Sequence, residues 1–257
     1  TWACNSACIM CGPQCSSMWA KELELNSEQL EEIGKKTNDD DVFQCLDLSN
    51  VKKIHFNGGE PLLNAHQLTL LQALDKNNIL NDLFVSYNTN GTVFPGNKII
   101  DYWAKSRLVK IFFSIDATGS AFEYIRWPSN WQQVSENIQR MKNELPPNVM
   151  FGINVTIGNY NLLELRELWN WYTESIATNR LGDNSDFCWQ IVKNTDSMSP
   201  QNITPEVRDC VIKDLEGISA LHGVTELLKS SRYTQDINNN WVTQFDQIDL
   251  RRNANWR

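Results

Sequence analysis

The sequence predicts an α/β protein with a mostly parallel sheet, on three observations. Short apolar segments rich in β-branched and aromatic residues recur through the middle of the chain. Stripes of helical periodicity fall between them. Glycine-containing turns, Gly58-Gly59 and Asn90-Gly91, close the first two of the short segments. Strand, helix, strand, helix implies right-handed βαβ crossovers, which pair strands in parallel.

Five strands follow from the pattern. Residues 51–56 alternate in part, and residues 83–87 are short, β-branched and aromatic. Residues 109–115 and 149–157 are nearly continuously apolar, as strands buried on both faces are. Residues 187–192 are the fifth. Helical stripes separate them: Leu68, Leu71 and Leu74; then Ile99, Ile100, Trp103 and Ala104. Val134, Ile138 and Met141 form a third, closed by Pro146-Pro147, and Leu162, Leu165, Leu168, Trp169 and Tyr172 a fourth. Residues 36–50 are polar and predict a solvated loop.

Beyond Gly223 the pattern loosens, with a helix around residues 225–229 and an Asn-rich turn at residues 238–240. The division expected is a core over residues 1–195 and a helical or irregular extension over residues 196–257, incomplete because Arg257 follows no terminator.

Bulk properties narrow the function. A chain of 257 residues suits one large domain or two small ones. Its 41% hydrophobic and 21% charged residues are ordinary for a globular protein. No apolar run approaches the ~18 residues of a membrane helix, and no leader pattern opens the chain. Thr1 in place of Met predicts a processed form or a fragment. A net charge of −8 argues against broad electrostatic binding of nucleic acid. Of seven cysteines, four crowd the N-terminus, which reads as metal ligation in a reducing, cytoplasmic setting rather than a disulfide framework.

Those four are Cys4, Cys8, Cys11 and Cys15, in the stretch CNSACIMCGPQC. Two readings fit them. All four thiolates close a structural zinc site in an interaction module, with C-x2–4-C knuckles. Alternatively, three hold an iron–sulfur cluster and leave one iron open to a substrate or cofactor. A loop this early in a parallel α/β protein normally follows a strand. Only Thr1-Trp2-Ala3 is left to supply it, so the first strand is expected to be truncated.

Cys4-Asn-Ser-Ala-Cys8-Ile-Met-Cys11 resembles the C-x3-C-x2-C loop of the radical S-adenosylmethionine (radical SAM) enzymes. Met10 fills the hydrophobic position usual beside the last cysteine. The Cys-Gly-Pro continuation and Ser16-Ser17-Met18-Trp19 look like the subgroup with a SPASM or twitch extension. The resemblance implies a partial (β/α)6 barrel in which Cys4, Cys8 and Cys11 bind a [4Fe–4S] cluster. SAM then chelates the fourth iron through its amino and carboxylate groups.

Downstream motifs meet the demands of that resemblance. Phe56-Asn-Gly58-Gly59-Glu60-Pro61 matches the glycine-rich turn after the second barrel strand, which implies that Gly58, Gly59 and Glu60 bind the methionyl amino group. The plainer alternative is a tight turn with a solvated Glu60. Thr89-Asn-Gly-Thr92 is frequent in the subgroup and is also an ordinary Asn-Gly turn. Strand alternation points Ser114 and Asp116 the same way, into the barrel. The family implies SAM contacts there, whereas a cap before Thr118-Gly119 explains Asp116 equally.

The segment Glu123-Tyr124-Ile125-Arg126 resembles one whose Arg lies over the SAM carboxylate; the alternative is a surface Arg126 paired with Glu123. Asn154, with Thr156 nearby, is a candidate for SAM or substrate contact or for polar filling of the barrel. His55, His66 and His222 receive no role, and Cys45, Cys188 and Cys210 read as buried apolar cysteines.

The resemblance covers residues 1–195 and implies reductive cleavage of SAM to a 5′-deoxyadenosyl radical. That radical takes hydrogen from a peptide, protein or small-molecule substrate. The electron comes from a donor such as flavodoxin or ferredoxin.

Overall fold

Five strands pair in parallel in the order in which they occur in the chain: β1 (Lys53–Phe56), β2 (Phe84–Thr89), β3 (Leu108–Ser114), β4 (Val149–Ile157) and β5 (Phe187–Ile191). The computed structural model describes residues 2–33, 47–177, 186–192, 196–230 and 235–254. Each expected strand is present, and each connection carries a helix. These are α3 (His66–Lys76), α4 (Asn97–Lys105), the pair α5 (Gly119–Ile125) and α6 (Trp131–Glu144), and α7 (Leu165–Ser175). Two short helices, α1 (Ser17–Glu22) and α2 (Ser27–Glu32), precede the sheet. The result is an open sheet of parallel strands, the α/β architecture of an incomplete barrel. No strand precedes the cysteine loop among the described residues.

The helices cover one face of the sheet. Val85, Tyr87, Val109, Ile111, Phe113, Ile153 and Val155 are buried against Leu71 and Leu74 of α3, Trp103 of α4, Val134 and Ile138 of α6, and Leu168 of α7. Each such side chain contributes about 1.5–3 kcal/mol by leaving water. The buried Tyr87 hydroxyl accepts the Trp103 indole N–H at 3.1 Å, so neither polar group is stranded. β3 corrects one expectation. It is closed on the helix side only, because Lys110, Phe112 and Ser114 alternate with its apolar set and are half-exposed on the other face. That second face positions the site.

The extension is helical: α8 (Pro205–Asp214), α9 (His222–Lys229) and α10 (Gln235–Arg252). Thr204 caps α8 and Pro205 opens it, the usual helix-start chemistry. The Asn-rich turn expected at residues 238–240 lies inside α10. Phe245 and Ile248 bury that helix against Ala7, Cys8, Ile9, Met10 and Trp19, so packing overrides local turn preference. Cys45 and most of the loop expected at residues 36–50 fall outside the described residues.

Candidate active site

The cysteine loop takes its shape from backbone hydrogen bonds and one helix cap. Cys11 N–H donates to the Cys8 carbonyl at 2.9 Å, and Cys15 N–H to the Gly12 carbonyl at 3.0 Å, so Gly12-Pro13 begins the turn that ends the loop. Ser16 caps α1 by accepting from Met18 and Trp19 N–H, and its hydroxyl donates to the Ser6 carbonyl at 2.6 Å. Trp19 of that helix donates its indole N–H to the Cys8 carbonyl at 2.7 Å. On the other side, Ala7 and Ile9 N–H donate to the carbonyls of Trp127 and Ile125 at 2.6 and 2.9 Å.

The turn after β1 carries two glycines for two reasons. Gly58 has φ +95°, a conformation that side chains disfavour. Gly59 lies so close to the N-terminal segment that a Cβ there would overlap the Ala3 carbonyl. Glu60 N–H then donates to that carbonyl at 2.7 Å, locking the turn onto the residue before Cys4.

Glu60 itself is a correction. It is fully buried, away from the cavity the cysteines line. Its carboxylate accepts from Leu62 N–H at 3.0 Å, the Thr89 hydroxyl at 2.8 Å and Asn90 N–H at 2.7 Å. It ties the end of β1 to the end of β2 as an internal brace. Burial pushes its pKa up against these three donors.

Asp116 is the second correction. β3 ends at Ser114, so the alternation that pairs the two residues does not extend to Asp116. Ser114 lines the cavity; Asp116 is buried behind it, and one of its oxygens accepts Thr156 N–H at 2.6 Å. Its other oxygen stands 2.7 Å from Arg126 Nη2, off the line of a hydrogen bond, so the contact is ionic. Asp116 does not cap the helix that follows; Thr118 occupies that position.

Arg126 is not the surface partner of Glu123. Glu123 accepts from Asn130 and Trp131 at the start of α6. Arg126 is buried, with Nη1 3.7 Å from the Cys8 sulfur, and its Nε has no hydrogen-bond partner among the described residues. Burial disfavours its charge, yet Asp116 and the Cys8 and Cys11 thiols hold its pKa above the usual value. For Cys8, a hydrogen bond from the Cys11 thiol outweighs burial and lowers the pKa, with Arg126 adding to the effect. That bond raises Cys11, and burial raises Cys4.

These parts meet at one cavity of about 430 Å³, a normal size for a small-molecule site. Cys4, Cys8, Cys11 and Cys15 line it together with Gly58, Gly59, Ser114, Arg126 and Asn154. The Cys8 and Cys11 thiols are hydrogen-bonded to each other, and no three Cys, His, Asp or Glu side chains among the described residues are grouped as around a single ion. A larger space of about 770 Å³, between α8 and α9, contains none of the cysteines and is lined by Lys213, Glu216 and His222.

Several lining residues escape sequence reasoning: Asn57, Asn88 and Gln190, which join Thr156 and Asn90 in a neutral polar ring. Each sits at or just past the C-terminal end of a strand, on the face away from the helices. The signal is a lone polar residue closing an apolar strand, visible only once register aligns the strands.

His55 stands lower on the same face, with Nδ1 2.8 Å from Ser86 Oγ, and does not line the cavity. Cys210 is exposed on α8 and Cys188 is half-buried on β5, so neither is the buried apolar cysteine expected.

Comparison with known proteins bears on family and fold. Residues 1–171 match the family model of the Radical SAM superfamily. No curated protein matches the chain. Among solved structures, native anSMEcpe with bound AdoMet aligns at a TM-score of 0.53 and 16% identity, over 90% of this chain and 60% of that one. Streptococcus suis SuiB bound to S-adenosylmethionine aligns at 0.50 and 13%, over 91% and 48%. SuiB bound to its precursor peptide SuiA aligns at 0.50 and 14%, over 88% and 45%. The chain thus spans about half the length of SuiB and three fifths of anSMEcpe, and identities this low speak to the fold alone. Among the described residues, no helix is long and apolar enough to cross a membrane. With a family model matched over two thirds of its length and this fold behind it, the chain belongs to the radical SAM superfamily of enzymes.

Proposed function

We propose that the chain holds a [4Fe–4S] cluster on Cys4, Cys8 and Cys11 and binds SAM in the adjoining cavity, as a member of the SPASM/twitch-like subgroup. One observation carries this reading: the cysteine loop, Gly58-Gly59, Ser114, Arg126 and Asn154 line a single cavity although they come from five separate stretches of chain. The donors suit the group. Thiolates are the ligands that iron–sulfur clusters take. Arg126 puts a buried guanidinium on that cavity wall, the side chain suited to pairing with a ligand carboxylate.

A cluster held by Cys4, Cys8 and Cys11 would supply the one electron needed for reductive cleavage of SAM, the source of the hydrogen-abstracting 5′-deoxyadenosyl group. The protein's own part is to bind, orient and exclude water. Asp116 keeps Arg126 charged and in place. Gly58 and Gly59 let the backbone approach the ligand, and Ser114, Asn154 and Thr156 offer neutral hydrogen-bonding groups. A peptide or protein is the favoured substrate class, supported by the fold shared with SuiB in its complex with a precursor peptide; a small molecule is the second. The reductant is a flavodoxin- or ferredoxin-type donor, and the setting is cytoplasmic, where clustered thiols stay reduced.

A zinc site needs four thiolates about 2.3 Å from one ion. The zinc reading leaves Arg126, buried on the same cavity wall beside Cys8, without a task. Anaerobic reconstitution with iron and sulfide, then SAM and a strong reductant, tests the proposal. Expected are a brown protein, 5′-deoxyadenosine, loss of iron in Cys8→Ala and its retention in Cys15→Ala. A colourless protein, or Cys15→Ala losing metal as fully as Cys8→Ala, overturns it.

A further inference from the structure

The last helix returns to the first residues of the chain. Arg252, in the final turn of α10, donates from Nη2 to the Ala7 carbonyl at 2.7 Å, between Cys4 and Cys8. The same guanidinium pairs with Glu22, at 3.2 Å from Nε to each oxygen and 3.0 Å from Nη2. Its side chain is 2% exposed. Its central carbon lies 4.9 Å from the centroid of Trp19, the ring whose N–H holds the Cys8 carbonyl. Tyr124, two residues before Arg126, donates its hydroxyl to Asp249 one turn earlier on α10, at 2.8 Å. The Arg252 Nη1 is buried without a hydrogen-bond partner among the described residues.

A guanidinium this deeply buried is costly unless its partners compensate it. Glu22 supplies the countercharge, while the bond to Ala7 spends one donor on a neutral carbonyl of the cysteine loop. Phe245 and Ile248 add apolar packing that needs no charge.

We propose that Arg252 is a positioning residue for the cluster site: it fixes the Ala7 carbonyl and sets a second buried positive charge, after Arg126, beside Cys8. α10 thereby governs both the shape of the loop and the potential at which a cluster bound there is reduced. The inference rests on the cluster reading above. A cluster held by three thiolates is anionic, and reduction makes it more so. A nearby cation therefore favours the reduced form, and cluster potentials respond to local charge and hydrogen bonding. The planar fork that spans Glu22 and Ala7 is specific to Arg.

The test is a redox titration of the reconstituted full chain, with dithionite as reductant, followed by the cluster's absorbance. Arg252→Met is expected to load iron fully and to titrate at a more negative potential, with Arg252→Lys in between. Glu22→Gln frees the Arg252 charge and is expected to shift the potential the opposite way. Midpoints equal to the wild type, or shifts of the same sign, overturn the proposal. If Arg252→Met does not fold, the sign of the Glu22→Gln shift decides. Amide exchange in the metal-free protein gives an independent readout: residues 7–11 are expected to exchange faster in Arg252→Lys, and unchanged exchange overturns the positioning role. A wild-type chain that takes up no cluster defeats the cluster reading alone, and the exchange measurement still judges Arg252.

Discussion

Arg126 Nη2 lies 2.7 Å from Asp116 Oδ2, and neither side chain is more than 9% exposed. Two opposite charges removed from water depend on each other more than either depends on its surroundings. Asp116 is therefore the group that lets a cation stand beside the Cys8 thiol.

Replacing Asp116 by Asn keeps an oxygen for Thr156 N–H but strands the guanidinium. Removing one partner of a buried pair costs about 3–5 kcal/mol. The Asn variant is expected to lose stability on that scale in urea unfolding. A loss below about 1 kcal/mol, the scale of an exposed pair, speaks against the pairing.

Glu60→Ala leaves Leu62 N–H, Asn90 N–H and the Thr89 hydroxyl without their acceptor, each group worth about 1–3 kcal/mol when buried and unsatisfied. Stability is expected to fall by at least one such increment.

The same residue carries a pH signature. Its pKa is raised in the folded state, so the folded protein holds this proton more tightly than the unfolded chain. That contribution is complete below the unfolded pKa and is lost as pH rises through the folded one. Glu60→Gln cannot titrate, so the stability difference between wild type and this variant is expected to narrow with rising pH over that window. Thermal unfolding at a series of pH values reads it, and a constant difference counts against a buried, proton-binding Glu60.

Gly59→Ala forces a methyl group into the Ala3 carbonyl. Overpacking of this kind costs about 1–3 kcal/mol, and here it displaces the residues that lead into Cys4. Lower stability and lower iron uptake on reconstitution are expected together. Gly96→Ala is the control, since nothing lies within 4 Å of the added carbon. Equal behaviour of the two variants sinks the close-approach account.

Asn154→Ala removes a neutral hydrogen-bonding group from the cavity wall. Weaker SAM binding by about threefold to tenfold is expected, the equivalent of about 0.5–1.5 kcal/mol for one hydrogen bond. His55→Ala, on the same sheet face but outside the cavity, is expected to bind SAM like the wild type. Calorimetric titration of the reconstituted protein distinguishes them.

Local chemistry made the strands and helices legible. The Val134, Ile138 and Met141 stripe becomes the buried side of α6, and residues 149–157 become β4 at the same bounds. Cys8, Gly58, Ser114, Arg126 and Asn154, each singled out by a sequence motif, line one cavity. What failed depended on where a strand stops or on what a distant segment covers. Asp116 was aimed wrongly because β3 ends two residues before it. Glu60 has the turn expected of it, but its carboxylate is buried rather than solvated. The helical state of residues 238–240 follows from α10 as a whole, whose buried side is set by Ala7 and Trp19, more than two hundred positions away. Asn57, Asn88 and Gln190 are unremarkable singly and form a ring only across aligned strands.

The segment from Ile125 to Trp127 has two holds on the site. Its backbone carbonyls carry the cysteine loop, and the side chain between them, Arg126, lines the cavity beside Cys8. A displacement of this segment carries cysteine loop and guanidinium together, as common-mode motion. The spacing between them is thereby set within three consecutive residues, and the buried ion pair with Asp116 holds the Arg126 side chain at its end of it.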